Sequence, residues 1–68
     1  MKIFYDGEPK DKEAEIKVAD IIESFIDEGK EYTIGIDYAP KHSKDFTAIT
    51  RFSKNEDGTI TIENVEYI

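Results

Sequence analysis

The 68 residues hold 16 Asp and Glu against nine Lys and Arg, a formal net charge of −7, with no Cys and no Trp. A chain of this length makes one domain, 1–68, with a thin core, because folding at this size buries only roughly 60% of the unfolded surface; disulfides and thiolate metal sites are excluded. The negative field repels phosphate backbones and favours basic partners, so direct nucleic-acid binding is not expected, and no apolar run approaches the roughly 18 residues of a membrane span or resembles a signal-peptide core.

Residues 1–5, Met-Lys-Ile-Phe-Tyr, read as a short strand closed by the turn-prone run Asp6-Gly7-Glu8-Pro9. The period then changes. From Asp11 to about Glu28 the apolar residues Ala14, Val18, Ile21, Ile22, Phe25 and Ile26 recur at three- and four-residue spacing, which predicts an amphipathic helix. Asp11 is placed to cap its N-terminus, Glu13 and Glu15 suit the positive end of the dipole, and Gly29 is placed for a left-handed residue at the C-terminus. On the other side of this helix Glu13, Asp20 and Asp27 lie seven residues apart with Glu23 adjacent, an acidic ridge that Lys17 offsets through its i,i+4 contact with Glu13.

Residues 32–38 alternate, with Tyr32, Ile34, Ile36 and Tyr38 on the face expected to meet the helix and Thr33, Gly35 and Asp37 on the other. Residues 46–52 read as the next strand and 59–68 as the last, joined by the tight-turn signal Asn55-Glu56-Asp57-Gly58. The expected fold is therefore α+β: a single helix packed on a four-stranded, mainly antiparallel sheet in the order β-α-β-β-β. A crossover helix permits the first two strands to run parallel. The expected core is Ile3, Val18, Ile22, Phe25, Ile34, Ile36, Phe46, Ala48, Ile60 and Ile62.

The stretch with most chemical content is 35–50, where an apolar strand ends in Asp37, turns through Lys41, His42 and Lys44, and re-enters as a strand after Asp45. A carboxylate at such a place must be solvated at the strand end, paired, or bound to metal. The structural expectation is an Asx-type turn in which Asp37 accepts the amides of the following loop. Ile34-Gly35-Ile36-Asp37-Tyr38-Ala39, followed by Lys44-Asp45-Phe46-Thr47-Ala48-Ile49 and by Asp57-Gly58, resembles the opening hairpins of the RNase H-like nuclease domain of phage terminase large subunits over residues 32–68. That resemblance implies that Asp37 stands where such nucleases hold their first metal ligand. Those folds continue well past a third strand and supply further carboxylates there, whereas this chain stops at Ile68. Two-metal chemistry needs several carboxylates around cations about 4 Å apart. The candidate ligands are Asp37 and Asp45, with Glu63 and Glu66 from the last strand, although the two glutamates are expected to face solvent.

No nucleophile motif, glycine-rich phosphate cradle or nucleophile–base pair is present, so no catalytic residue and no cofactor are expected. Size, acidity and the resemblance together suggest a small acidic protein similar to those by which phages inhibit host enzymes. On that reading the partner is a basic host protein, a nucleic-acid-binding enzyme such as a restriction or CRISPR-type nuclease, met through Glu13, Asp20, Glu23 and Asp27 in the host cytoplasm, with no membrane partner. Two alternatives are a truncated RNase H-like module with a vestigial metal-binding aspartate, and a structural protein that self-associates through sheet edges, a homodimer included.

Overall fold

The computed structural model describes residues 2–26 and 28–68 and has the elements β1 (Lys2–Asp6), α1 (Lys12–Phe25), β2 (Thr33–Asp37), β3 (Ala48–Lys54) and β4 (Ile60–Tyr67). They form a four-stranded sheet in the spatial order β1-β2-β3-β4 with α1 on one face, an α+β fold. The sheet is mixed: β1 runs parallel to β2, with Ile3 opposite Ile34, and the remaining pairs are antiparallel. Parallel pairing follows from the long connection through α1, since adjacent parallel strands need a crossover of a dozen or more residues.

The helix begins as its sequence predicts. The Asp11 backbone is extended and its carboxylate accepts the Ala14 amide at 2.8 Å, which satisfies one of the four free N–H groups of the first turn. Its end differs from expectation. The helix stops at Phe25, where Ile26 is the C-cap and donates its amide to the Glu23 carbonyl at 3.3 Å. Gly29 therefore does not terminate the helix, and the glycines with positive φ among the described residues are Gly7 and Gly58. No basic residue occupies the last turn; that end is stabilised from the sheet instead, by Arg51.

The core is one layer between α1 and the sheet: Val18 and Phe25 from the helix, and Tyr32, Ile34, Ile36 and Ile49 beneath them, with Ile3, Ile21, Ile22, Tyr38 and Ile68 packed around. The predicted inward face of β2 is therefore correct. Four of the expected core residues are not in it. Phe46 is 72% exposed, Ile60 and Ile62 are 60% and 64% exposed, and Ala48 lies on the uncovered face opposite Tyr67. The cause is parity: side chains alternate along a strand, and a strand placed one residue off exchanges its faces. Residues 48–54 present Ile49 to the helix, so Ala48, Thr50 and Phe52 point away, and their partners Tyr67, Val65 and Ile62 go with them.

β4 keeps that apolar set together only because of a bulge. Its register shifts between Arg51 and Phe52, so that Ile62 faces Phe52 while Asn64 faces Arg51, and Glu63 is the extra residue. A bulge adds one residue and turns the strand's facing by one step. Ile60 and Ile62 thereby share a face with Val65 and Tyr67.

Candidate functional site

The carboxylates proposed as metal ligands do not come together. Asp37 ends β2, exposed, on the uncovered face of the sheet. Its neighbour there is Asp6, its register partner in β1, and not Asp45, which is exposed in the loop before β3 with its amide donated to the Ser43 hydroxyl at 2.8 Å. Glu66 lies opposite Ile49, on the other face. Among the described residues no group of three or more His, Asp or Glu side chains is placed to hold a metal ion.

The expected Asx turn at Asp37 is also absent. The Ala39 amide donates to the Thr47 hydroxyl at 3.0 Å, and Thr47 is buried. Thr47 in turn exchanges backbone hydrogen bonds with Ile68 at 2.9 and 3.0 Å, so the loop 38–47 is tied to the C-terminal end of the sheet. Lys41, His42 and Lys44 are exposed on this loop. Three of the four tyrosines divide by position: Tyr32 is core, while Tyr38, half-buried, stacks on the exposed Tyr5 with ring centroids 6.1 Å apart and planes 7° apart. Burial, with lesser contributions from Tyr5 and Glu15, raises the Tyr38 pKa above 10.0.

Glu63 departs most from the sequence reading. It is 17% exposed, and its Oε2 accepts from Arg51 Nη2 at 2.8 Å. The same guanidinium donates through Nη1 to the Phe25 carbonyl at 2.6 Å and lies with Cζ 5.1 Å from the Tyr32 ring centroid. Arg51 thus caps the carbonyl end of α1, where a cation is favoured by the helix dipole, and holds that end to β3 and β4. Its Nε is buried without a hydrogen-bond partner. Hydrogen bonding from Ser53, and then Arg51, holds the Glu63 carboxyl below its ordinary pKa, and bonds from Thr59 do the same for Asp57 in the β3–β4 turn.

These lowered values carry a pH dependence of definite sign. A carboxyl whose pKa falls on folding stabilises the folded state above its unfolded value, near 4.5 for Glu63, and that stabilisation is lost as pH falls through the folded value. Tyr38, raised, acts in the opposite range: its contribution is complete below pH 10.0 and lost as pH rises through its folded value. Glu63→Gln is expected to melt below the wild type at neutral pH, with the gap closing as pH falls through the folded Glu63 value; a gap of constant size would remove Glu63 ionisation as its cause.

The outer side of α1 presents Glu13, Asp20 and Glu23, all exposed. Glu13 pairs with Lys17 at 3.2 Å, and the outlying Glu15 pairs with Lys12 at 3.6 Å. Such exposed pairs contribute only about 0.3–0.5 kcal/mol each. Among the described residues Asp20 and Glu23 share no ion pair. Asp27, the fourth member of the predicted ridge, lies outside the described residues.

On the opposite side of the molecule no element among the described residues covers the sheet. Phe4, Ile60, Ile62, Val65 and Tyr67 are 40–65% exposed there, and Phe52 stands beside them. A shallow, open depression in this surface is bordered by Phe4, Gly35, Ala48, Thr50 and Phe52; a Cβ at Gly35 would come within 3.5 Å of the Phe52 ring. Sequence reasoning missed this face, although Ile60, Ile62, Val65 and Tyr67 do show a one-residue break in strand alternation, the mark of a bulge.

The chain matches no protein-family model, no curated protein and no solved structure. Among the described residues no helix is long and apolar enough to cross a membrane.

Proposed function

We propose that this chain is a small acidic interaction protein that binds a basic surface of another protein through the outer side of α1. The observation that carries this reading is the ridge itself: Glu13, Asp20 and Glu23 are exposed on one side of one helix, with Lys17 the one cation that pairs any of them among the described residues. The packing of α1 on the sheet through Val18 and Phe25 turns that ridge outward on a firm support. A surface of this sign, on a chain of net charge −7, is complementary to the basic channels that grip nucleic-acid backbones. Occupying such a channel would inhibit a nucleic-acid-acting enzyme by competition with its substrate, the mode of action expected for a phage-type inhibitor of a restriction or CRISPR-type nuclease.

The test is capture from nuclease-treated bacterial lysate with the native protein beside a folded Glu13→Lys, Asp20→Lys variant. A bound enzyme that duplex DNA displaces, that the variant does not retain, and that about 0.5 M salt releases is the expected result. Equal capture by both proteins, or capture that is indifferent to DNA, would remove the helix ridge as the interface.

A further inference from the structure

We propose that the uncovered face of the sheet is the interface of a symmetric homodimer, in which two copies pack face to face about a two-fold axis that lies in the interface plane and crosses the strands at right angles. This inference rests on the sheet alone and is independent of the helix ridge.

The face is ordered in rows by its register. Lys2, Thr33, Phe52 and Ile62 form one row; Phe4, Gly35, Thr50 and Val65 the next; Asp6, Asp37, Ala48 and Tyr67 the third. Lys54, opposite Ile60, extends the first end by a further row. The four charged side chains on the face are thus sorted by sign, with Lys2 and Lys54 at one end, Asp6 and Asp37 at the other, and an apolar field between. Glu31 lies beside the lysine end, Glu56 and Asp57 follow Lys54 in the β3–β4 turn, and Lys41 and Glu8 lie beside the aspartate end.

A two-fold axis along the strands would set each row over itself with the strand order reversed, so that the two lysine ends meet and the two aspartate ends meet. An axis along the central row instead reverses strand direction and exchanges the outer rows. Lys2 then lies over Asp6 of the second copy, and the large Phe52 over the small Ala48. Charge is therefore self-complementary under one operation, which an isologous interface requires and an unrelated partner does not. Sheets that pack this way stack about 10 Å apart with their strands within roughly 30° of alignment.

The area sets the strength. At a strand spacing of ~4.8 Å and a rise of ~3.3 Å per residue the four strands offer about 400 Å² of sheet plane per copy. Two copies cover about 800 Å² before side-chain relief is added, just under the ~1,000 Å² that specific interfaces clear, so the expected dissociation constant is micromolar or weaker.

Sedimentation of the full chain from ~5 to ~500 μM tests this directly across the micromolar range. The mass should rise from the 7.8 kDa of one chain to twice that value. Ile62→Glu should hold it at the monomer, with a circular-dichroism melt to verify folding. Lys2→Glu with Lys54→Glu, and separately Asp6→Lys with Asp37→Lys, should each weaken association at least about tenfold, because each makes both ends of the face alike in sign. An equimolar mixture of the two double variants should restore it. A monomer at the highest concentration, or association that neither double variant weakens, would overturn the proposal. Glu13→Lys with Asp20→Lys should leave the dimer unchanged, so loss of enzyme capture and loss of self-association are separate results.

Discussion

Ile49→Ala should lower the melting temperature by roughly 10–40 °C, while Ile62→Ala, on the neighbouring strand, should melt within a few degrees of the wild type in dilute solution. Ile49 is 0% exposed, in the centre of the layer that Val18 and Phe25 close from above. Removing its side chain forfeits the transfer free energy of the deleted groups and leaves a cavity, about 2–5 kcal/mol in well-packed cores. A 68-residue domain has only roughly 3–10 kcal/mol of stability in all. The loss is thus a large part of the whole, and a thermal or urea melt should show an early transition. Ile62 has the same chemistry and the opposite setting, 64% exposed on the uncovered face. A substitution there, away from core and caps, changes stability by about 0.5 kcal/mol or less. If Ile62→Ala proved as damaging as Ile49→Ala, the strand parity described above would be wrong.

Arg51→Ala should give the second-largest loss. The guanidinium joins three elements at once: it donates to the last carbonyl of α1, pairs with Glu63 of β4, and lies over the Tyr32 ring. A hydrogen bond to a charged donor is typically worth about 1.5–3 kcal/mol, which in a domain of this size corresponds to a fall in melting temperature of roughly 10 °C. Loss of the cation also strips the helix C-terminus of its favourable charge and leaves Glu63 without its partner. Arg51→Lys should recover only part of this, because an ammonium cannot span a carbonyl and a carboxylate in one plane as a guanidinium does. In Arg51→Ala, the further change Glu63→Gln should cost much less than in the wild type, since the carboxylate no longer has the guanidinium to meet. A double-mutant cycle that showed the two substitutions simply adding would separate Arg51 from Glu63.

Much of the fold was legible in the chain because it is written in local chemistry. Asp11 caps α1 because its short carboxylate reaches the free amides of the first turn, and any Asp at that point before an apolar-periodic run does the same. Asn55-Glu56-Asp57-Gly58 makes the β3–β4 turn because Gly58 adopts a φ of 88° without a Cβ to oppose it, while Asp57 accepts the Thr59 amide and hydroxyl. The alternation of Tyr32, Ile34 and Ile36 assigned the helix-facing side of β2 correctly, as these residues are buried. The candidate surfaces were half legible. The acidic side of α1 follows from helical period alone, whereas the open apolar face depends on which of two parities β3 adopts and on a bulge that shifts β4 by one residue.

Composition and local pattern alone therefore determined the net negative charge, one capped helix, the inner face of β2 and the tight turn between β3 and β4. Tertiary structure decided the rest: the helix ends at Phe25 because a cation from β3 meets its carbonyl there, Glu63 is drawn inward because the bulge turns it toward that cation, and Ile60 and Ile62 are left outside because one helix can cover only one face of a sheet. Each of these depends on contacts between residues far apart in the chain, and such contacts leave no period in the sequence.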